Sequence, residues 1–154
     1  MPTSNTRKKR RPRSSIAVQR TVPDAPPVGL LRGFALAALR PGSVVTLRVV
    51  GTEESKRLNF MYRGKNRATN VLSFSYDRRR GDVVLCHPVI RREAGRQHKS
   101  LAAHYAHLIV HGVLHLHGHD HRRAPDAARM ERKEIRILRG LGMGDPYAAD
   151  EAVK

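Results

Sequence analysis

The chain has 154 residues, with 30 Lys and Arg against 13 Asp and Glu, a formal charge of +17, no tryptophan and a single cysteine, Cys86. That length suits one domain plus a tail, with one modest core filled by Leu, Val, Ile and Ala. The lone cysteine excludes an intramolecular disulfide, no apolar run approaches a membrane span, and the field of so many cations draws polyanions, RNA above all in a cytoplasmic protein.

Residues 1–27 read as a disordered basic arm. They combine Arg7, Lys8, Lys9, Arg10, Arg11 and Arg13 with Pro23, Pro26 and Pro27 and little apolar content. No signal-peptide apolar region follows the cations. Transit-peptide composition without an amphipathic face argues against organelle import. The first twenty residues carry seven cations and no acid, so the remainder still carries +10. The basic character therefore belongs to the body as well as the arm.

From residue 28 onward the pattern predicts one domain, 28–154. A short apolar helix is expected over 28–40, ended by Pro41-Gly42. The β-branched alternation of 44–50 predicts a strand. Thr52 is a candidate N-cap for a helix to Met61, and Tyr62 to Thr69 reads as a basic loop. Strands are expected over 70–76 and 82–87 around an Asp77–Gly81 turn. Pro88 opens a helix to about His98. Ser100 caps a helix over 101–117 with Leu101, Tyr105, Leu108 and Leu114 as its apolar stripe. Pro125 opens the last helix, where Met130, Ile137, Leu138 and Leu141 share a face. Helices and strands mixed without regular βαβ alternation predict an α+β fold: a small mixed sheet packed against several helices, with the chemistry on a helix–turn.

That helix–turn is His111-Gly112-Val113-Leu114-His115-Leu116-His117-Gly118-His119-Asp120-His121. Its spacing, H-x-x-x-H-x-x-G-x-x-H, is that of the metzincin zinc site. His111 and His115, four apart on a helix, lie on one face and can aim at one ion. Gly118 takes the left-handed conformation that ends a helix, so His121 can swing back as a third ligand. Three imidazoles leave a fourth position open, the arrangement of a catalytic zinc site. One Zn²⁺ is therefore expected on His111, His115 and His121, although nickel or copper would accept the same donors. His117 and His119 leave the i, i+4 face and read as turn or rim residues. His107, one turn before His111, reads as a polar side chain packed near the core. A zinc protease carries its general-base Glu directly after the first His. Gly112 stands there instead, which weighs against peptide hydrolysis.

The same block resembles the signature H-G-x-L-H-L-x-G-[YF]-D-H of the YbeY family of bacterial endoribonucleases, the rRNA maturation factors. Asn59-Phe60-Met61-Tyr62-Arg63-Gly64-Lys65 with Thr69-Asn70-Val71-Leu72-Ser73-Phe74 is similar to that family's N-x-x-Y-R-G-K-D-x-P-T-N-V-L-S-F. Gly81-Asp82-Val83-Val84-Leu85-Cys86, Leu141-Gly142 and Asp145-Pro146-Tyr147 also match. Asn66 stands where the family usually has Asp, Ala68 where it has Pro, and His119 where it has an aromatic residue. The resemblance covers roughly residues 44–150 and does not reach the arm. It implies a zinc-dependent endoribonuclease that cleaves single-stranded RNA. It further implies maturation of the small-subunit rRNA 3′ end, quality control of the ribosome, and rRNA and the ribosome as partners, with no membrane. It places the family's important arginine on Arg63, as catalytic phosphate clamp. Two rivals stand beside this reading: a non-catalytic zinc-containing RNA-binding or ribosome-assembly factor, and a metalloprotease.

Overall fold

The computed structural model describes residues 13–118 and 124–147. In chain order the elements are β1 (Ser15–Arg20), α1 (Val28–Ala38), β2 (Val44–Val50), α2 (Thr52–Arg63), β3 (Val71–Ser75), β4 (Arg80–Cys86), α3 (His87–Arg96), α4 (Leu101–Leu116) and α5 (Ala124–Gly140). Four strands form one sheet in the order β1-β2-β4-β3. β1, β2 and β4 run parallel, and β3 returns antiparallel against β4 as an edge strand. The mixed sheet and five helices make the α+β architecture that the sequence predicts.

Helices cover the two faces unequally. Leu47, Val49, Val83 and Leu85 join Tyr105, Ile109, Val113 and Leu114 of α4, Leu31 and Phe34 of α1, and Met130 and Leu138 of α5 in the main core. The other face carries only a small cluster of Val50, Leu72 and Val84 under Leu58 of α2 and Phe74. α4 is therefore the central helix, flanked by α1, α3 and α5 and laid against β3 and β4. The Ser100 hydroxyl accepts from the Ala103 N–H as its N-cap, as its sequence position predicts.

Three expectations need correction. The arm does not run through residue 27, because Ser15–Arg20 is a strand in register with β2 from Ser15↔Val44 to Arg20↔Val49. Only Ile16 and Val18 alternate in this polar segment, and its stability comes from the β2 ladder and from α1 above it. Residues 1–12 lie outside the described residues. Thr52 is the first helical residue of α2 rather than its cap; Gly51 occupies the cap without a side-chain bond. α2 also continues two residues past Met61. Gly64, at φ 69°, ends it by donating to the Phe60 carbonyl, and the Lys65 N–H reaches Asn59 O. Tyr62 and Arg63 thus stand on a helix end, not in a loop.

Gly112 has a packing reason. A Cβ there would lie 2.8 Å from Val83 Cγ1 and 3.1 Å from Ser73 Oγ. The bare backbone lets α4 sit against the sheet, and Ser73 Oγ donates to Gly112 O at 3.0 Å. A side chain at the position where a zinc protease carries its base would thus run into β3 and β4. Gly112→Ala is expected to lower stability: overpacking costs about 1–3 kcal/mol, against the roughly 1 kcal/mol by which alanine improves a helix. A urea midpoint at or above that of the parent protein would contradict this.

Candidate active site

A cleft of about 700 Å³ runs along β3, one edge of the sheet, between α2 and the C-terminal half of α4. His111 and His115 line it from α4 and Gly118 from the turn that follows, Asn59 and Arg63 from α2, Lys65 and Arg67 from the segment after α2, and Ser73 and Ser75 from β3. The two sequence motifs that are far apart in the chain therefore face one space.

Each side of the cleft is held by local bonds. Asn59 is buried and its side-chain amide donates to Arg67 O at 2.8 Å. Ser55 Oγ donates to Thr69 O and accepts the Thr69 N–H, both at 3.1 Å. These bonds fold the basic segment 64–69 back against α2. Asn70 accepts its neighbour's N–H (Val71 N to Oδ1, 2.7 Å) and donates to Glu93 of α3 at 3.0 Å, which fixes the start of β3. Much of the Thr69-to-Phe74 motif is thus scaffold for the cleft wall.

On the opposite wall, His111 and His115 stack edge-on with ring centroids 4.9 Å apart, as the i, i+4 spacing requires. His111 Nδ1 lies 2.5 Å from Glu134 Oε1 of α5. Glu134 is fully buried, and its other oxygen accepts from the Tyr147 hydroxyl and lies 3.4 Å from His107 Nε2. Burial alone would push the Glu134 carboxyl up, but the bonds from His107, His111 and Tyr147 prevail and hold it at about 2. Burial, and then Glu134, push the Tyr147 phenol well above its usual value. An ionised carboxylate only accepts, so the His111 proton belongs on Nδ1, the nitrogen that faces Glu134.

The ligating atoms of His107, His111 and Glu134 lie within 4.8 Å of one another, an arrangement compatible with a metal site. His117 serves structure instead: its Nε2 accepts the Arg40 N–H at 2.9 Å, so it belongs to the turn, as expected. Gly118 has the left-handed φ, 87°, expected of the helix stop. His121, with His119 and Asp120, lies outside the described residues. Sequence reasoning missed Glu134. Its signal was an acid on the buried face of α5, between Met130 and Leu138 at i, i+4, i+8.

Glu134→Gln is expected to weaken metal affinity about 10–100-fold, the usual cost of losing the partner that orients a ligand imidazole. Competition with a chromophoric chelator would measure it. Affinity equal to that of the parent protein would remove Glu134 from the site.

Among the described residues no helix is long and apolar enough to cross a membrane. The fold resembles the solution structure of TM1509 from Thermotoga maritima, with a TM-score of 0.57 at 20% identity over 86% of this chain and 98% of that one. Much nearer in sequence is a protein of Aromatoleum aromaticum named Endoribonuclease YbeY, 51% identical over 144 residues, 88% of this chain and 94% of that protein. A protein of Nitrosospira multiformis with the same name is 49% identical over 80% of this chain and 74% of its own length. A family model described as Endoribonuclease YbeY matches residues 33–142, a span that holds both walls of the cleft, from Arg63 on α2 to His111 and His115 on α4, and Glu134 behind them. By that match and by about half-identity over most of these relatives' length, this chain belongs to the Endoribonuclease YbeY family.

Proposed function

We propose that this protein is a zinc-dependent endoribonuclease that cuts single-stranded RNA in the cleft and matures ribosomal RNA, the small-subunit 3′ end included, with a part in ribosome quality control. The observation that carries the reading is the facing of Arg63 and the His111–His115 pair across one basic cleft. We place one ion on His111, His115 and His121. Two observations fit this donor set: the two rings lie side by side, and Glu134 fixes the His111 proton away from the cleft. Glu134 is then the support for a ligand rather than a ligand, because both its oxygens are already engaged.

When bound, zinc supplies a Lewis acid that lowers the pKa of water or takes up charge on a phosphoryl oxygen. The rest falls to the side chains. Lys65 and Arg67 draw the RNA backbone along the cleft. Arg63, exposed at the end of α2, grips a phosphate with two parallel N–H donors and neutralises charge that grows on the non-bridging oxygens. Gly112 leaves no carboxylate at the protease position, which disfavours peptide hydrolysis.

Incubating the protein with a single-stranded RNA and, separately, with casein tests this. RNA cleavage that stops on chelation and returns with zinc is expected, with casein intact. Uncut RNA would leave a zinc-containing RNA-binding or assembly factor; cut casein would restore the protease. A 2′,3′-cyclic phosphate on the products would assign attack to the RNA's own 2′-OH.

The Lys/Arg arm is proposed to strengthen RNA or ribosome binding without entering the chemistry. Deleting residues 1–12 removes Arg7, Lys8, Lys9, Arg10 and Arg11 and leaves β1 whole. The slope of log affinity against log salt should flatten by a few units, since each lost phosphate contact contributes about 0.7 for single strands. An unchanged slope would rule the arm out as a binding element.

A further inference from the structure

This chain is poor in aromatic residues, with three phenylalanines, four tyrosines and no tryptophan. The core takes only Phe34 and Tyr105. Three others form a row on the sheet face that α2 only partly covers. Tyr62 packs on Phe74 with ring centroids 4.8 Å apart. Tyr76 follows two residues after Phe74 along the β3 hairpin, so both point to the same face. Its hydroxyl donates to Asp82 on β4 at 2.5 Å, which pins the ring. That bond raises the Tyr76 phenol, and Tyr62 is near enough to add to the effect. Tyr62 remains 60% exposed and Tyr76 67%, with Met61 beside them at 64%. Leaving such rings in water is costly, and a solvent-facing row of them marks a contact surface.

Charge indicates the occupant. Arg63, Lys65 and Arg67 border the row where α2 ends at the cleft, and Arg78, Arg79 and Arg80 border it at the hairpin turn. A second copy of this chain, at +17, would set like charge against like. A single nucleic acid strand supplies phosphates for the cations and base faces for the rings. β3 connects the two surfaces: Ser73 and Ser75 line the cleft, while Phe74 carries the row on to Tyr76, the first residue past the strand.

We propose that Tyr62, Phe74 and Tyr76 form a stacking platform for unpaired bases of the RNA strand that passes through the cleft, and that this platform gives the site its preference for single strands. A duplex keeps its base faces stacked and cannot use it. The inference rests on the RNA-cleaving reading above.

The full-length protein tests it by fluorescence anisotropy with two labelled probes of equal length, a single-stranded RNA octamer and a ribose-phosphate chain lacking bases. The parent protein should bind the octamer more tightly. Tyr62→Ala and Tyr76→Ala should each weaken octamer binding about tenfold, leave the base-free probe unaffected and keep the salt slope. Tyr62→Phe and Tyr76→Phe should retain octamer affinity, because the ring face does the work. Equal loss on both probes, no loss on either, or no preference of the parent protein for bases overturns the platform. If the parent protein cleaves RNA but shows no such preference, the platform alone falls. If it neither binds nor cleaves RNA, the nuclease reading falls with it.

Discussion

Replacing Arg63 by lysine is expected to leave the fold, the metal and most RNA affinity in place and to cut cleavage about a hundredfold, the scale of losing one donor to a developing oxyanion. Three facts support so large an effect for a conservative change. Arg63 is the last residue of α2, so its backbone is held by a helix and by the Gly64 turn rather than by a mobile loop. It lines the same cleft as His111 and His115. A phosphodiester transition state carries extra charge on its non-bridging oxygens, and a planar guanidinium meets two of them with parallel N–H groups, where an ammonium acts as a point charge. The change preserves formal charge, so long-range attraction to RNA is kept and the loss should fall on turnover. Single-turnover cleavage with saturating enzyme would measure it. An unchanged rate would make Arg63 one more cation of a basic surface.

Replacing His115 by alanine is expected to strip the metal and abolish cleavage, whereas His107→Ala should keep the metal. This comparison decides between the proposed ligand set and the cluster of His107, His111 and Glu134 that the structure brings together. If the ion sits on His111, His115 and His121, losing one of three imidazoles leaves two, too few to hold it at ordinary concentrations. If instead it sits among His107, His111 and Glu134, whose donors lie within 4.8 Å, the His107 variant loses it and the His115 variant does not. His117→Ala should retain the metal in either case, because His117 Nε2 already accepts the Arg40 N–H. Metal content by atomic emission on the purified variants gives the answer without an activity assay. Full occupancy in His115→Ala would sink the proposed ligand set.

The sequence by itself determined which elements occur from residue 28 onward, though not both ends of α2, and the local geometry of the histidine helix. Apolar periodicity, Ser100, Gly118 and the prolines act within a few residues of themselves, so their effects can be read from neighbours in the chain. The i, i+4 spacing of His111 and His115 likewise places two rings together in any helix. What the chain could not show locally needed a partner distant in sequence. Ser15–Arg20 becomes a strand only because β2 offers it a ladder. Gly112 is required because Val83 and Ser73 stand where its Cβ would be. Glu134 reaches His111 across 23 positions; its spacing with Met130 and Leu138 puts it on the apolar face of α5, but which partner it meets there is decided only when the helix docks. Only the packing of α2 and α4 on either side of β3 set Arg63 in one cleft with His111 and His115, because a shared space is fixed by long-range contacts that no local pattern encodes.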